Sequence, residues 1–126
     1  MNNKIKNKKI AVLGVTFKAN TDDMRDSSSL RLIPFLSKKG AKIKYYDPTG
    51  PKKEFKKLKN VEFSNSIQES IKGSDIAIIH TEWNDFKSIN FKKFSKNKKL
   101  IIYDMRNLFS PTKIKKLGIK YFGIGR

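Results

Sequence analysis

Three polar segments of this sequence carry side chains able to grip a phosphorylated ligand, and each follows a short apolar run. The first is Gly14-Val-Thr-Phe-Lys-Ala-Asn-Thr-Asp-Asp-Met-Arg25. Lys18 offers a phosphate a point charge, and the planar fork of Arg25 suits a phosphate, an amide or a carboxylate. The last is Asp104-Met-Arg-Asn107. An acid beside Arg106 can hold the guanidinium in one pose, and a fixed guanidinium bridges hydroxyls and phosphate oxygens. Between them lies His80-Thr-Glu-Trp83, with the only histidine and the only tryptophan of the chain. Trp83 either stacks on a ring or fills a core. No nucleophile or carboxylate is specified beside His80, so a hydrogen-bonded structural role is expected of it. A competing use exists for Arg25: Asp22 and Asp23 pair with it and cap a helix at Ser27, leaving the cation nothing to offer a ligand.

Other chemistries are excluded or weakened. Without cysteine there is no disulfide, thiolate metal site or cysteine nucleophile within these residues, and a metal site would rest on carboxylates alone. The first segment is neither a GxGxxG turn nor a Walker loop. Asp47-Pro48 reads as a turn. It sits where a dinucleotide reader has a ribose-binding acid, but the glycine fingerprint that should precede such an acid is missing.

The elements that position these segments alternate in kind. Apolar strand signals at 9–14, 42–46, 74–79, 99–103 and 119–122, with a short extended piece at 61–63, are separated by helical patterns at 27–39, 51–59, 66–72, 84–86, 91–96 and 111–117. Short apolar strands joined through helices must pair in parallel, giving an α/β, Rossmann-like open sheet of five or six strands with helices on both faces. In the helix at 27–39, Leu30, Ile33 and Leu36 form the apolar stripe, and Pro34 predicts a kink or a later start. Ser66 and Glu69 are spaced as a capping box. In such a sheet ligands bind beyond the carboxyl ends of the strands, where the strand order reverses. All three polar segments fall at strand ends of that kind.

Length allows one domain, with residues 1–7 as a tail or link remnant and 8–126 as the folded unit. Lys and Arg number 29 against 11 Asp and Glu, a net charge of +18. That field attracts anionic ligands, yet the basic residues are spread along the chain and no nucleic-acid motif accompanies them. No stretch reaches membrane-spanning length, and the basic start lacks a signal-peptide core, so a cytoplasmic location is expected.

Taken together, the first segment, Tyr46-Asp-Pro48, Thr81-Glu-Trp83 and Asp104-Met-Arg-Asn107 resemble the successive motifs of the C-terminal domain in the UDP-glucose/GDP-mannose dehydrogenase family. The resemblance runs from about residue 8 to 123, and Thr81-Glu-Trp83 leans towards the UDP-glucose members. It implies a C-terminal nucleotide-sugar-binding domain of an NAD-dependent enzyme that oxidises a sugar C6 alcohol to a carboxylate in two steps. By position, Phe17, Lys18 and Arg106 would bind the UDP-sugar, and Arg25 would reach NAD across a domain cleft. The family's NAD domain, central helix and catalytic cysteine have no counterpart in this sequence. The chain is therefore expected to need them from elsewhere, in cis or on a separate chain, and not to catalyse alone. A stand-alone UDP-sugar-binding module and a basic nucleic-acid-binding protein are the rival readings. A phosphoacceptor domain is rejected, because Gly14 and Val15 stand where it needs an acidic pair.

Overall fold

A computed structural model describes residues 5–94 and 99–124. Its centre is β1 (Lys9–Leu13), whose residues Ile10 to Leu13 are buried because a strand follows on each side. The others are β2 (Lys42–Tyr46), β3 (Val61–Phe63), β4 (Ile76–Ile79), β5 (Ile101–Asp104) and β6 (Lys120–Gly123). They form one six-stranded sheet of order β3-β2-β1-β4-β5-β6, and every neighbouring pair is parallel. The order reverses between β1 and β4, so the chain leaves these two adjacent strands in different directions and opens a crevice between their ends.

Side chains alternate across the sheet with period two and build two cores. Ala11, Leu13, Ala77, Ile79 and Ile102 point one way, against Phe86 and Ile114 among others. Those two come from α3 (Asn84–Lys87) and α4 (Pro111–Lys116), and α2 (Ile67–Ile71) packs on the same side through Ile71. Ile10, Val12, Ile43 and Tyr45 point the other way, under Ile33 and Leu36 of α1 (Ser29–Lys38) and under Phe55. Each buried side chain of this size contributes about 1.5–3 kcal/mol of transfer free energy. The second face is covered only over its first half. Tyr103 and Phe122 are cross-strand neighbours on β5 and β6, stacked with centroids 5.3 Å apart, and both stay exposed.

The expected strands are all present, β4 and β5 each beginning two residues later than expected, and the larger departures are at helix ends and small turns. α1 begins two residues late. The hydroxyls of Ser27 and Ser29 both donate to the carbonyl of Val15, at 2.6 and 2.5 Å, and the Ser27 oxygen accepts the Ser29 amide at 3.2 Å; the residue at the cap position itself, Ser28, makes no side-chain cap. The helix continues through Pro34, which removes one internal hydrogen bond without ending it. The lysine-rich 51–59 yields only a 3-10 turn, Lys53–Phe55, anchored by Phe55 edge-on to Tyr45 at 5.2 Å. Ser66 caps α2 through the Glu69 amide at 3.1 Å, but the Glu69 carboxylate reaches back to the Asn65 amide. The helix expected at 91–96 is a 3-10 turn, Phe91–Phe94, and residues 95 and 96 lie outside the described residues. Of the proposed tail, residues 1–4 lie outside as well. Ile5 packs on the second core, and the Asn7 amide donates to the Gly40 carbonyl at 2.9 Å.

One glycine fixes the crevice. Gly14, directly after β1, has φ of +81°, and a Cβ there would stand 2.5 Å from Cβ of Thr81. Gly14→Ala therefore combines left-handed strain with a collision against an atom close to the backbone. It is expected to cost more than about 2 kcal/mol by urea unfolding. Gly50→Ala is the control: φ is +93°, but nothing lies within 4 Å, so strain alone should cost about 1–2 kcal/mol.

Candidate functional site

Beyond Gly14 the chain enters a long loop before α1. Asp47, at the end of β2, is buried and turns its carboxylate into the start of that loop. It accepts the amides of Val15 at 2.8 Å and Thr16 at 3.3 Å, and on its other oxygen the amide and hydroxyl of Thr49. A buried carboxylate is costly unless its lone pairs are used, and here four donors use them. The loop then closes on itself: the Phe17 amide donates to the Asp23 carbonyl at 2.9 Å, and the Thr16 hydroxyl to the Lys18 carbonyl at 2.9 Å. Asn20 and Asp26, residue types that tolerate left-handed backbone, take φ of +64° and +60° at its bends. Phe17, Lys18 and Arg25 are left on the outside, Phe17 with 47% of its surface exposed.

The end of β4 ties this loop to the rest of the crevice. His80 is 1% exposed, and its Nε2 lies 2.7 Å from the Ser28 hydroxyl. Its Nδ1 lies 3.0 Å from Oγ1 of Thr81, which donates to the Thr16 carbonyl at 3.0 Å. Burial, and then the nearby Arg106 charge, lower the His80 pKa to about 4. The imidazole is neutral at pH 7, in keeping with the structural role expected of it.

The guanidinium Nε of Arg106 donates to the His80 carbonyl at 2.8 Å, and the residue is otherwise exposed. The expectation that Asp104 would hold this guanidinium is corrected. Asp104 instead accepts the backbone amides of Arg106 and Phe109 and the Tyr121 hydroxyl, at 3.1, 3.0 and 2.6 Å. Asn107 exchanges two hydrogen bonds with the backbone of Ile124, at 2.9 and 2.8 Å. The segment thus fixes a turn with Asp104 and Asn107 and leaves the charge of Arg106 uncompensated by any carboxylate among the described residues.

Arg25 meets the competing use. It forms a two-point ion pair with Asp23, Nε to Oδ1 at 3.1 Å and a terminal nitrogen to Oδ2 at 3.0 Å, which lowers the Asp23 pKa. The Arg25 side chain is nonetheless 88% exposed, and solvent and salt screen an exposed pair of this kind, so it yields readily to a ligand. With Lys52, Lys53 and Lys56, Arg25 lines an open groove of about 560 Å³. Trp83 does not stand free to stack on a ring. It is buried in the first core, and its Nε1 has no partner among the described residues.

Phe17 and Lys18 are thus joined to Arg106 through Thr16, Thr81 and His80. The spacing of residues could not show this, because each link spans 26 residues or more except the one between the adjacent His80 and Thr81. Asp47 was missed for the same reason. Its partner amides lie 31 and 32 residues away, and an Asp-Pro pair at a strand end carries only a local turn signal.

The buried imidazole makes stability depend on pH. Its folded pKa of about 4 lies below the usual 6.5, so between those values the unfolded chain binds a proton that the folded chain refuses. The contribution is complete above about pH 6.5 and shrinks as pH falls towards 4, by about 2–3 kcal/mol in all. Urea midpoints at pH 7 and 4.5 should fall further in the parent than in His80→Asn; equal losses would mean that the imidazole is not the source.

Comparison with known proteins bears on the family and the fold. The model of the UDP-glucose/GDP-mannose dehydrogenase family, UDP binding domain, covers residues 11–111. A UDP-glucose 6-dehydrogenase of Rhizobium meliloti (strain 1021) is 37% identical over 123 residues, 97% of this chain but 28% of the relative. Among solved structures, a UDP-D-ManNAc dehydrogenase from Pyrococcus horikoshii superposes with a TM-score of 0.75 at 29% identity, covering 98% of this chain and 27% of that one. An NDP-N-acetyl-D-galactosaminuronic acid dehydrogenase from Methanosarcina mazei Go1 does so with 0.80 at 26% identity, covering 98% and 26%. The chain spans little more than a quarter of the length of these relatives, and it belongs to the UDP-glucose/GDP-mannose dehydrogenase family as its C-terminal, UDP-binding domain.

Proposed function

We propose that this domain holds the nucleotide end of a UDP-sugar, UDP-glucose in the first instance, for an NAD-dependent oxidation of the sugar C6 alcohol to a carboxylate. The carrying observation is the set of exposed Phe17, Lys18 and Arg106, hung on one buried hydrogen-bonded network at the reversal of strand order. Lys18 and Arg106 supply the charge a diphosphate needs, and Phe17 supplies an apolar ring face for the base or sugar. The names of the relatives and the Thr81-Glu-Trp83 segment favour uridine and glucose.

NAD, which accepts hydride in such a reaction, does not fit the first turn of this chain. The amides of Val15 and Thr16 that would face a pyrophosphate are taken by Asp47, and the start of α1 is closed by Ser27 and Ser28. Arg25, in a groove lined by both lysines and carboxylates, is the group that suits a cofactor held mainly by another domain. The absence of cysteine from these 126 residues likewise assigns covalent catalysis to other polypeptide, in cis or on a separate chain. The bare Tyr103 and Phe122 pair supports a domain that works inside a larger protein. No helix of the described residues is long and apolar enough to cross a membrane, and we place the protein in the cytoplasm.

Calorimetric titration with UDP-glucose, UDP and GDP at two salt concentrations tests the reading. Uridine ligands should bind in preference to GDP. Steeply salt-dependent binding without nucleoside preference would favour the nucleic-acid alternative instead. Arg106→Ala should weaken UDP-glucose binding by roughly 2–4 kcal/mol, the range for a charge-assisted contact that the ligand buries. If that variant binds as the parent does, the assignment of Arg106 is wrong. Arg25→Ala should change little in the isolated domain, since its proposed ligand is NAD held elsewhere.

A further inference from the structure

Arg106 stands at the end of β5, and Phe17 and Lys18 stand past the end of β1, with β4 between them. The traced connection runs through the residue at the end of β4. The backbone carbonyl of His80 takes Nε of Arg106 at 2.8 Å, while the imidazole reaches Thr81 at 3.0 Å. Thr81 passes the connection to the carbonyl of Thr16, the residue before Phe17. From the opposite ring nitrogen, Ser28 at 2.7 Å brings in the start of α1.

These bonds determine where the ring proton sits. Thr81 has one hydroxyl hydrogen, and the Thr16 carbonyl, an acceptor only, takes it. Towards His80 the Thr81 oxygen can then only accept, so Nδ1 carries the hydrogen. In a neutral ring Nε2 is left bare, and it accepts from the Ser28 hydroxyl. The charged groups that act on the ring are Arg106, which disfavours its protonation, and Asp47, which opposes that effect; the polar contacts come from Ser28, Thr81 and Gly14. A leucine would fill most of the same volume and make none of these bonds.

We propose that His80 is a positioning residue for nucleotide-sugar binding: fixed as its neutral Nδ1–H tautomer, it couples the pose of the Arg106 guanidinium to the loop that carries Phe17 and Lys18. The proposal rests on the reading of Arg106, Phe17 and Lys18 as the UDP-sugar site. An exposed arginine and an exposed loop can each bend separately. Joined through the backbone of His80 and Thr81, which the buried ring braces from both of its nitrogens, they are presented to the ligand as a unit, and less freedom is lost on binding.

Because the chain has a single histidine, the imidazole ¹⁵N spectrum of the untagged protein reports on this ring alone. At pH 7 the ligand-free protein should show Nδ1 protonated and Nε2 bare. His80→Leu should speed hydrogen exchange of the Arg106 Nε–H and the Phe17 amide, and should weaken UDP-glucose binding roughly tenfold. His80→Asn, whose amide stands near the place of Nδ1 and can donate to Thr81, should recover most of both losses. A ring protonated at Nε2, or a folded His80→Leu with parental exchange and affinity, overturns the proposal. If the parent itself fails to bind UDP-glucose, the reading of the site falls, while tautomer and exchange in the ligand-free proteins still decide the coupling. Should His80→Leu not fold, the tautomer and the Asn variant decide it: Asn exchange and affinity near parental support the coupling through Thr81, and losses as large as those of Arg106→Ala overturn it.

Discussion

The ends of β1 and β4 approach so closely that one of the two residues there cannot have a side chain. Gly14 lies against Thr81 with no room for a methyl group. That approach lets the Thr81 hydroxyl reach the Thr16 carbonyl and the Gly14 amide reach the Tyr46 carbonyl at 2.7 Å. The long loop is thus fastened at its root to the strands on both sides of β1. Everything proposed to touch the UDP-sugar is suspended from that root: Phe17 and Lys18 by one peptide bond or two, Arg106 through the carbonyl of the residue before Thr81.

Buried acids and exposed cations divide the work. Asp47 and Asp104 could be read as ligand-binding or arginine-holding residues, yet both point inward and spend their oxygens on backbone amides and hydroxyls. Neutralised by dipoles and not by cations, they fix loop shape without cancelling the charge of the residues they support. Among the described residues only two ion pairs occur, Arg25 with Asp23 and Lys44 with Glu62. The field of a chain at +18 therefore remains open at the crevice. Within about 8–10 Å at physiological salt, that field favours a diphosphate before any specific contact forms.

The sequence was most legible where a physical rule acts locally. Continuous apolar runs gave β1 and β4, because a strand buried on both faces has no alternation to hide, and the helical patterns between strands gave the parallel pairing. Ser66 announced its helix through a three-residue spacing. Legibility failed where the deciding partner is remote. The Ser27 hydroxyl ahead of α1 is tied to Val15, twelve residues back, and the lysine-rich 51–59 coils only far enough to seat Phe55 on Tyr45. In the site, charge type alone singled out Lys18, Arg25 and Arg106. The structure shows what carries them, whereas their ligands rest on the family.

The same strand order serves dinucleotide-binding sheets, and besides the missing glycine fingerprint the placement of one carboxylate sets this chain apart from them. In a dinucleotide reader the turn after the first strand aims bare amides at a pyrophosphate, and the acid ending the second strand takes a ribose hydroxyl. Here the acid ending the second strand is Asp47, and it is inserted into those amides. One residue thus fills the anion position and withdraws from the ribose position together. On the proposed reading, an anionic ligand binds farther out, on a loop too long for a tight turn and on Arg106 across the crevice. A fold of the dinucleotide-binding kind takes, on that reading, the diphosphate of a nucleotide sugar instead, without any change in the order of its strands.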